Sequence, residues 1–198
     1  MKRLLLVFMF FILNNSFAST LHSKEEIRAV LDEILTLIQE NKESELNKRF
    51  VNKDLGIYFI EKIGIAPTFA IHKELEPFDN SKIPEYPFYN TFLGSPTSSA
   101  KTLKNEYVSF DCGSEKWEKE GLFYGELGNY PLLSKIIETD ELFEQKTYTK
   151  EQKDKITFIE RNSIRVVDTK LSMVFYITKI DGAWYFSVID FATDDCSA

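Results

Sequence analysis

The sequence predicts an α+β domain: a long N-terminal helix packed on a curved, mainly antiparallel sheet that ends in a C-terminal meander. Three observations carry that reading. Ile27, Val30, Leu31, Ile34, Leu35 and Ile38 recur at three- and four-residue steps, the period of a helix with one apolar face. Two strand-like runs, "LSMVFYITK" and "AWYFSVIDF", flank Asp181-Gly182, a preferred two-residue hairpin turn. The segments between helix and hairpin are of mixed type, with no internal repeat and no low-complexity stretch.

The chain of 198 residues opens on "MKR", then the apolar run "LLLVFMFFIL", then "NNSFA". A basic start, an apolar core and small residues at the end are the layout of a secretory signal peptide, with cleavage expected after Ala18. Ten apolar residues are half of the roughly 20 that a bilayer helix needs. No later apolar run is long enough to span, so the expected products are a leader, 1–18, and one exported domain, 19–198, with no membrane span after cleavage and a periplasmic or extracellular destination. The formal charge is −7, and the leader removes only Lys2 and Arg3, so the remaining chain is more acidic still. Such a surface repels phosphate backbones, which argues against nucleic acid as a partner.

Ser23 and Glu26 have the spacing of a capping box at the head of the first helix. "NKESELNKRF" extends that helix or starts a second, shorter one. "LGIYFIEKIG", 55–64, reads as a strand broken by Gly64 and Pro67. "TFAIHKEL" fits a short helix or a strand. Residues 76–104 hold four prolines and are irregular by composition, yet they carry Phe78, Tyr86, Phe88, Tyr89 and Phe92. Aromatics in such a segment either wrap a sheet or form a rim for a ligand, with Tyr86 and Phe88 the named candidates. "EYVSFDCG" and "GLFYGEL" read as strands. Pro131 suits a first helical turn, ahead of Leu133, Ile136 and Ile137, in a helix running to about residue 145. Thr149 caps a short helix through "KEQKDK", and "ITFIERNSIRVV", 156–167, has strand composition.

Counting outward from the Asp181-Gly182 turn pairs Ile177 with Phe186, Phe175 with Val188 and Met173 with Asp190, all on one face. That register makes Met173 and Phe175 candidate ligand-contacting residues and Asp190 a candidate catalytic acid or base. A carboxylate among apolar side chains would have a raised pKa. The competing reading is that Asp190 only ends the strand, beside Asp194 and Asp195. Tyr176 and Tyr185 lie on the opposite face and read as packing residues.

Cys112 and Cys196 are the two cysteines. Export and an even count favour a bridge over two free thiols. It would close a loop of about 85 residues and contribute about 4 kcal/mol in the chain-entropy view. His22 and His72 belong to no metal-ligand cluster, and no zinc, EF-hand, phosphate-loop or nucleophile-elbow motif is present; no metal or cofactor is expected.

The leading helix together with "KIDGAWYFSVIDF" resembles the cystatin-like, nuclear-transport-factor-two-like α+β cone, over residues 23–40 and 155–198. The ending "ATDDCSA" is similar to that of secreted proteins of the Bacteroidetes type. The resemblance implies a cone whose mouth holds a small ligand, with Asp190 at the position where some members keep a basic aspartate. The functional expectation is an exported binding domain for a small apolar molecule, a glycan or an envelope protein. The alternative is an enzyme using Asp190 for proton transfer or hydrolysis.

Overall fold

The computed structural model describes residues 23–64, 66–75, 92–125, 127, 133–143 and 145–196. The proposed leader, His22, Tyr86 and Phe88 lie outside them. Helix α1 spans Lys24–Gln39 and α2 Glu43–Phe50. Strands β1 (Ile57–Ile63) and β2 (Ala66–His72) follow, then a 3-10 turn at Ala100–Thr102. Next come β3 (Lys104–Asn105), β4 (Phe110–Asp111), β5 (Lys116–Trp117) and β6 (Leu122–Gly125). Helices α3 (Leu133–Leu142) and α4 (Lys150–Asn162) precede β7 (Ser163–Asp168), β8 (Met173–Ile180) and β9 (Ala183–Asp190).

Seven of these strands form one mixed sheet in the order β2-β1-β9-β8-β7-β6-β3. It is antiparallel except where β1 runs parallel to β9 and β3 parallel to β6. Strands β4 and β5 form a separate two-stranded ribbon. The fold class is α+β, as a leading helix followed by C-terminal antiparallel strands indicated.

Side chains leave a strand on alternate faces, and the two faces here have separate cores. On the first, Ile27, Leu31, Ile34 and Ile38 of α1 pack on Phe175, Ile177, Phe186 and Ile189. On the second, Ile136 and Ile137 of α3 and Ile156 and Ile159 of α4 pack on Phe123, Val167, Val174, Tyr176 and Val188. The helix pair on the second face is an addition to the single helical layer read from the sequence.

Ser23 caps α1, its Oγ accepting from the Glu26 N–H at 3.1 Å. The Glu26 carboxylate reaches across to the hairpin, accepting from Lys179 Nζ at 2.6 Å and Trp184 Nε1 at 2.9 Å. It thus clamps the start of the helix to the terminal ribbon. The largest local correction falls in "ITFIERNSIRVV", where 156–162 are helical and the strand begins at Ser163. Thr149 and Gln152 form a complete capping box, and Ile156 and Ile159, three residues apart, put both apolar side chains on one helical face. Those two effects outweigh the strand propensity of single residues. "EYVSFDCG" contributes only the two residues of β4. "TFAIHKEL" resolves as the end of β2. Among the described residues no helix is long and apolar enough to cross a membrane.

Candidate functional site

Asp181 and Gly182 form the tip of the terminal hairpin, at φ of 49° and 86°. From there Ile180 faces Ala183, Lys179 faces Trp184 and Ile177 faces Phe186. Beyond that point the pairing read from the sequence fails. A register shift at Tyr176/Ile177 leaves Ser187 as an extra residue, so Val188 faces Tyr176, Ile189 faces Phe175 and Asp190 faces Val174. Asp190 therefore does not meet Met173, and it sits on the second face rather than toward α1. Ile189 takes the place on the first face that simple alternation assigned to Val188.

Asp190 is 2 % exposed. Its Oδ1 accepts from the Ala192 N–H at 2.9 Å and the Thr193 N–H at 3.0 Å, and its Oδ2 accepts from Thr193 Oγ1 at 2.6 Å. This is a carboxylate capping the turn that ends β9. Burial pushes its pKa up, against the opposing pull of the Thr193 hydroxyl, the Arg165 charge and the two backbone N–H groups. Met173 and Phe175 are buried in the first core, where the Phe175 ring lies 5.2 Å from that of Phe186. Tyr176 is buried in the second core and Tyr185 is half-buried. The His72 ring meets that of Phe59 edge-on at 5.0 Å.

Cys112 and Cys196 are bonded, with Cα atoms 5.5 Å apart. The bridge joins the tail to the β4–β5 ribbon. A polar chain runs beside it: Trp117 Nε1 donates to Ser172 Oγ at 3.0 Å, and Ser172 Oγ donates to Asp194 Oδ2 at 2.7 Å. Burial raises the Asp194 pKa, and the Ser172 hydrogen bond partly offsets this. The Phe191 N–H continues the sheet by donating to the Ile60 carbonyl at 2.8 Å.

The feature that sequence reading missed lies at the other end of the sheet. A cleft of about 210 Å³ opens between β3, β6 and β7, lined by Asn105, Tyr107, Phe123, Gly125, Arg165 and Val167. Gly125 and Arg165 are cross-strand partners. Among the described residues, a Cβ built on Gly125 would meet no atom within 4 Å, so the missing side chain leaves open space opposite Arg165. Arg165 is 4 % exposed, on the face that also carries Val167 and Asp190. Tyr107 at the rim is 61 % exposed. Lys104 Nζ lies over the Phe123 ring, 5.3 Å from its centroid. Glu106, also lining the cleft, receives Lys119 Nζ at 2.7 Å, and that hydrogen bond and charge hold its pKa below the usual carboxylate range.

The sequence did carry two weak marks of this place. Arg165 interrupts the apolar run "SIRVV", and Gly125 interrupts "GLFYGEL". A glycine inside a strand often marks a close approach of backbone or ligand. Among the described residues, no group of three or more His, Cys, Asp or Glu side chains is placed to hold a metal ion. Set against protein-family models, curated proteins and solved structures, the chain matches none.

Proposed function

We propose that this chain is an exported, non-enzymatic binding domain that takes a small ligand in the cleft between β3, β6 and β7. The observation that carries the reading is the open space at Gly125 directly opposite the buried Arg165. Specific ligand sites combine an apolar lining with a few convergent polar groups. Here Phe123, Val167 and Tyr107 supply the first, and Arg165 and Asn105 the second. At about 210 Å³ the cleft falls below the roughly 300–1,000 Å³ of drug-sized sites, which fits a small ligand.

Binding is favoured over catalysis by Asp190, because both of its oxygens are engaged in the turn that ends β9. The cone architecture remains our reading of the overall shape, supported by α1 lying on one face of a mostly antiparallel sheet. The row that such a cone would turn to a ligand is here occupied by Phe175 and Phe186 against α1, which supports our reading of the ligand site on the other face. Export is supported by the leader-like N-terminus and by the Cys112–Cys196 bridge, which suits an oxidising compartment.

The test is an amide-resolved NMR titration of residues 19–198 with phenylacetate, phenethyl alcohol and phenethylamine, which share a ring and differ in head group. Shifts centred on residues 105–107, 123–125 and 165–167 are expected with at least one probe. They should vanish in Gly125→Val, which fills the cleft at a strand position that accepts a β-branched residue. Absence of cleft shifts with all three probes, or equal shifts in Gly125→Val, overturns the reading.

A further inference from the structure

We propose that a second cleft, between α1 and the segment 97–100, binds a single neutral sugar ring through hydrogen bonds to its hydroxyls. This site is additional to the cleft between β3, β6 and β7 and shares no lining residue with it. Its volume is about 260 Å³, below the roughly 300–1,000 Å³ of drug-sized sites, which suits one ring and not a longer chain. Asp32, Thr36, Gln39 and Glu40 line one side. Thr36 lies four residues after Asp32, and Gln39 and Glu40 lie three and four after Thr36, so the four form one polar stripe along α1 and its C-cap. Thr97 and Ser99 line the other side.

Both walls are held by bonds that leave hydrogen-bonding capacity in the cleft. Helix α1 is capped by Ser23 and buried through Ile34, Leu35 and Ile38 in the first core. Opposite it, the Ser98 N–H and Oγ donate to the Asp168 carboxylate at 2.7 and 2.6 Å, Lys170 Nζ donates to the Thr97 carbonyl at 3.3 Å, and the Thr102 N–H donates to the Ser99 carbonyl at 2.9 Å. Thr97 Oγ1 donates to Gln39 Oε1 at 3.3 Å and ties the walls together. Rigid elements of this kind keep a site's geometry in place before a ligand arrives. Among the described residues, the Asp32 carboxylate and the Thr36 hydroxyl have no partner. Ser99 Oγ accepts from the Lys101 N–H at 3.3 Å, which leaves its O–H to donate, and Gln39 keeps its amide NH₂. A sugar hydroxyl both donates and accepts, so it needs acceptors and donors side by side, as the carboxylate, hydroxyls and amide are here. An ammonium ligand only donates and would leave the Gln39 and Ser99 donors unmatched. No lysine or arginine is among the described lining residues to receive an anion.

The experiment titrates residues 19–198 with glucose, galactose and mannose, read from amide shifts, with tetrahydropyran and methylammonium as controls. At least one sugar should shift residues 32–40 and 97–100 in the millimolar range. Tetrahydropyran, the same ring without hydroxyls, should not, because a site built to hydrogen-bond a hydroxyl rejects the analogue that lacks it. Added salt should leave the affinity unchanged, since the ligand is neutral. Asp32→Ala should weaken binding about tenfold, the effect of losing hydrogen bonds to a charged group. Thr36→Val, which keeps the side-chain shape, should weaken it several-fold. Both positions are exposed, so the fold should hold, and unchanged shifts in the rest of the spectrum check this. The methyl glycoside of the binding sugar separates two sources: equal affinity marks the end unit of a glycan, lost affinity a free sugar, and either upholds the inference. No shift at 32–40 and 97–100 with any of the three sugars overturns it, as does tighter binding of methylammonium or undiminished binding in both variants. Sugar shifts confined to 105–107 and 123–125 also overturn it, while the first cleft stands.

Discussion

Ser187 Oγ donates to the Tyr176 carbonyl oxygen at 3.3 Å, at the point where β9 holds one residue more than β8. That single extra residue turns every later side chain of β9 to the opposite face. Phe186 still meets α1, but Val188 and Asp190 now look toward the layer of α3 and α4. The acid that would have lined the space under α1 becomes the anchor of the C-terminal tail.

Replacing Asp190 separates the anchor from a catalytic role. Asp190→Ala leaves the Ala192 and Thr193 N–H groups and the Thr193 hydroxyl without their acceptor, and should cost about 2 kcal/mol by urea denaturation. Asp190→Asn keeps a carbonyl oxygen for the two N–H groups and should cost less. Its effect should also depend on pH. Burial raises the folded pKa above the unfolded value of about 3.9, so the native state binds the proton more tightly. That contribution is fully present below about pH 4 and is lost as pH rises through the raised folded value. The asparagine variant should therefore gain on the wild type as pH rises above about 4. A constant difference across that range would show that Asp190 carries no such linkage.

Much of the scaffold was legible for local reasons. The six apolar positions of α1 and the Asp181-Gly182 turn each hold within a few residues, and the chain obeys them. The bulge was not legible, because Ser187 gains its place from a non-local balance between two faces that both have apolar cores. A strand buried on both sides gives no alternation to fix its register. Ile156 and Ile159 misled for the complementary reason: two β-branched residues read as strand until the cap seven residues before Ile156 is weighed with them. The cleft was hidden because it depends on an absent side chain at Gly125 meeting Arg165, forty residues further on.

Gly56 should tolerate no side chain. Its φ is +77°, and a Cβ there would lie 2.8 Å from Ile71 Cγ2 and 3.1 Å from the His72 carbonyl oxygen. Ile71 can shift, but the His72 carbonyl belongs to β2 and is held in the sheet. Gly56→Ala therefore combines left-handed backbone strain with a backbone contact, and about 2 kcal/mol should be lost. Gly182→Ala provides the contrast, since it has a positive φ but no atom of the described residues within 4 Å, and should cost about 1 kcal/mol. Equal melting points for the two variants would rule out the steric part.

Asp168 holds together two segments seventy residues apart. Its Oδ2 accepts from the Ser98 N–H at 2.7 Å, and its Oδ1 from Ser98 Oγ at 2.6 Å and from the N–H groups of Lys170 and Leu171 at 3.1 and 3.3 Å. The carboxylate is fully buried. Ser98→Ala removes one of these donors and should cost about 1 kcal/mol, whereas Asp168→Ala strands three backbone donors and should cost about 3 kcal/mol or more. The double variant should cost little more than Asp168→Ala alone, because the hydroxyl has then already lost its acceptor. Simple additivity would mean that the two residues do not act as one latch.

The Cys112–Cys196 bridge closes a loop with a sequence separation of 84, and its removal tests where that stability resides. The tail has other holds in the folded state: the Phe191 N–H on Ile60, the Trp117–Ser172–Asp194 chain, and Lys62 Nζ on the Asp195 carbonyl at 3.2 Å. Those should keep the tail in place when both cysteines are changed to serine. The loss should then come chiefly from a freer unfolded chain, and should amount to about 2–4 kcal/mol for a loop of this size. That corresponds to a fall in melting temperature of roughly 5–15 °C. Hydrogen exchange at 110–117 and 191–196 should slow or quicken only as global stability does, with no separate local opening. A selective loss of protection in those two segments, with the global midpoint unmoved, would put the action of the bridge in the native state instead. The tail would then be a strap that the disulfide alone fastens.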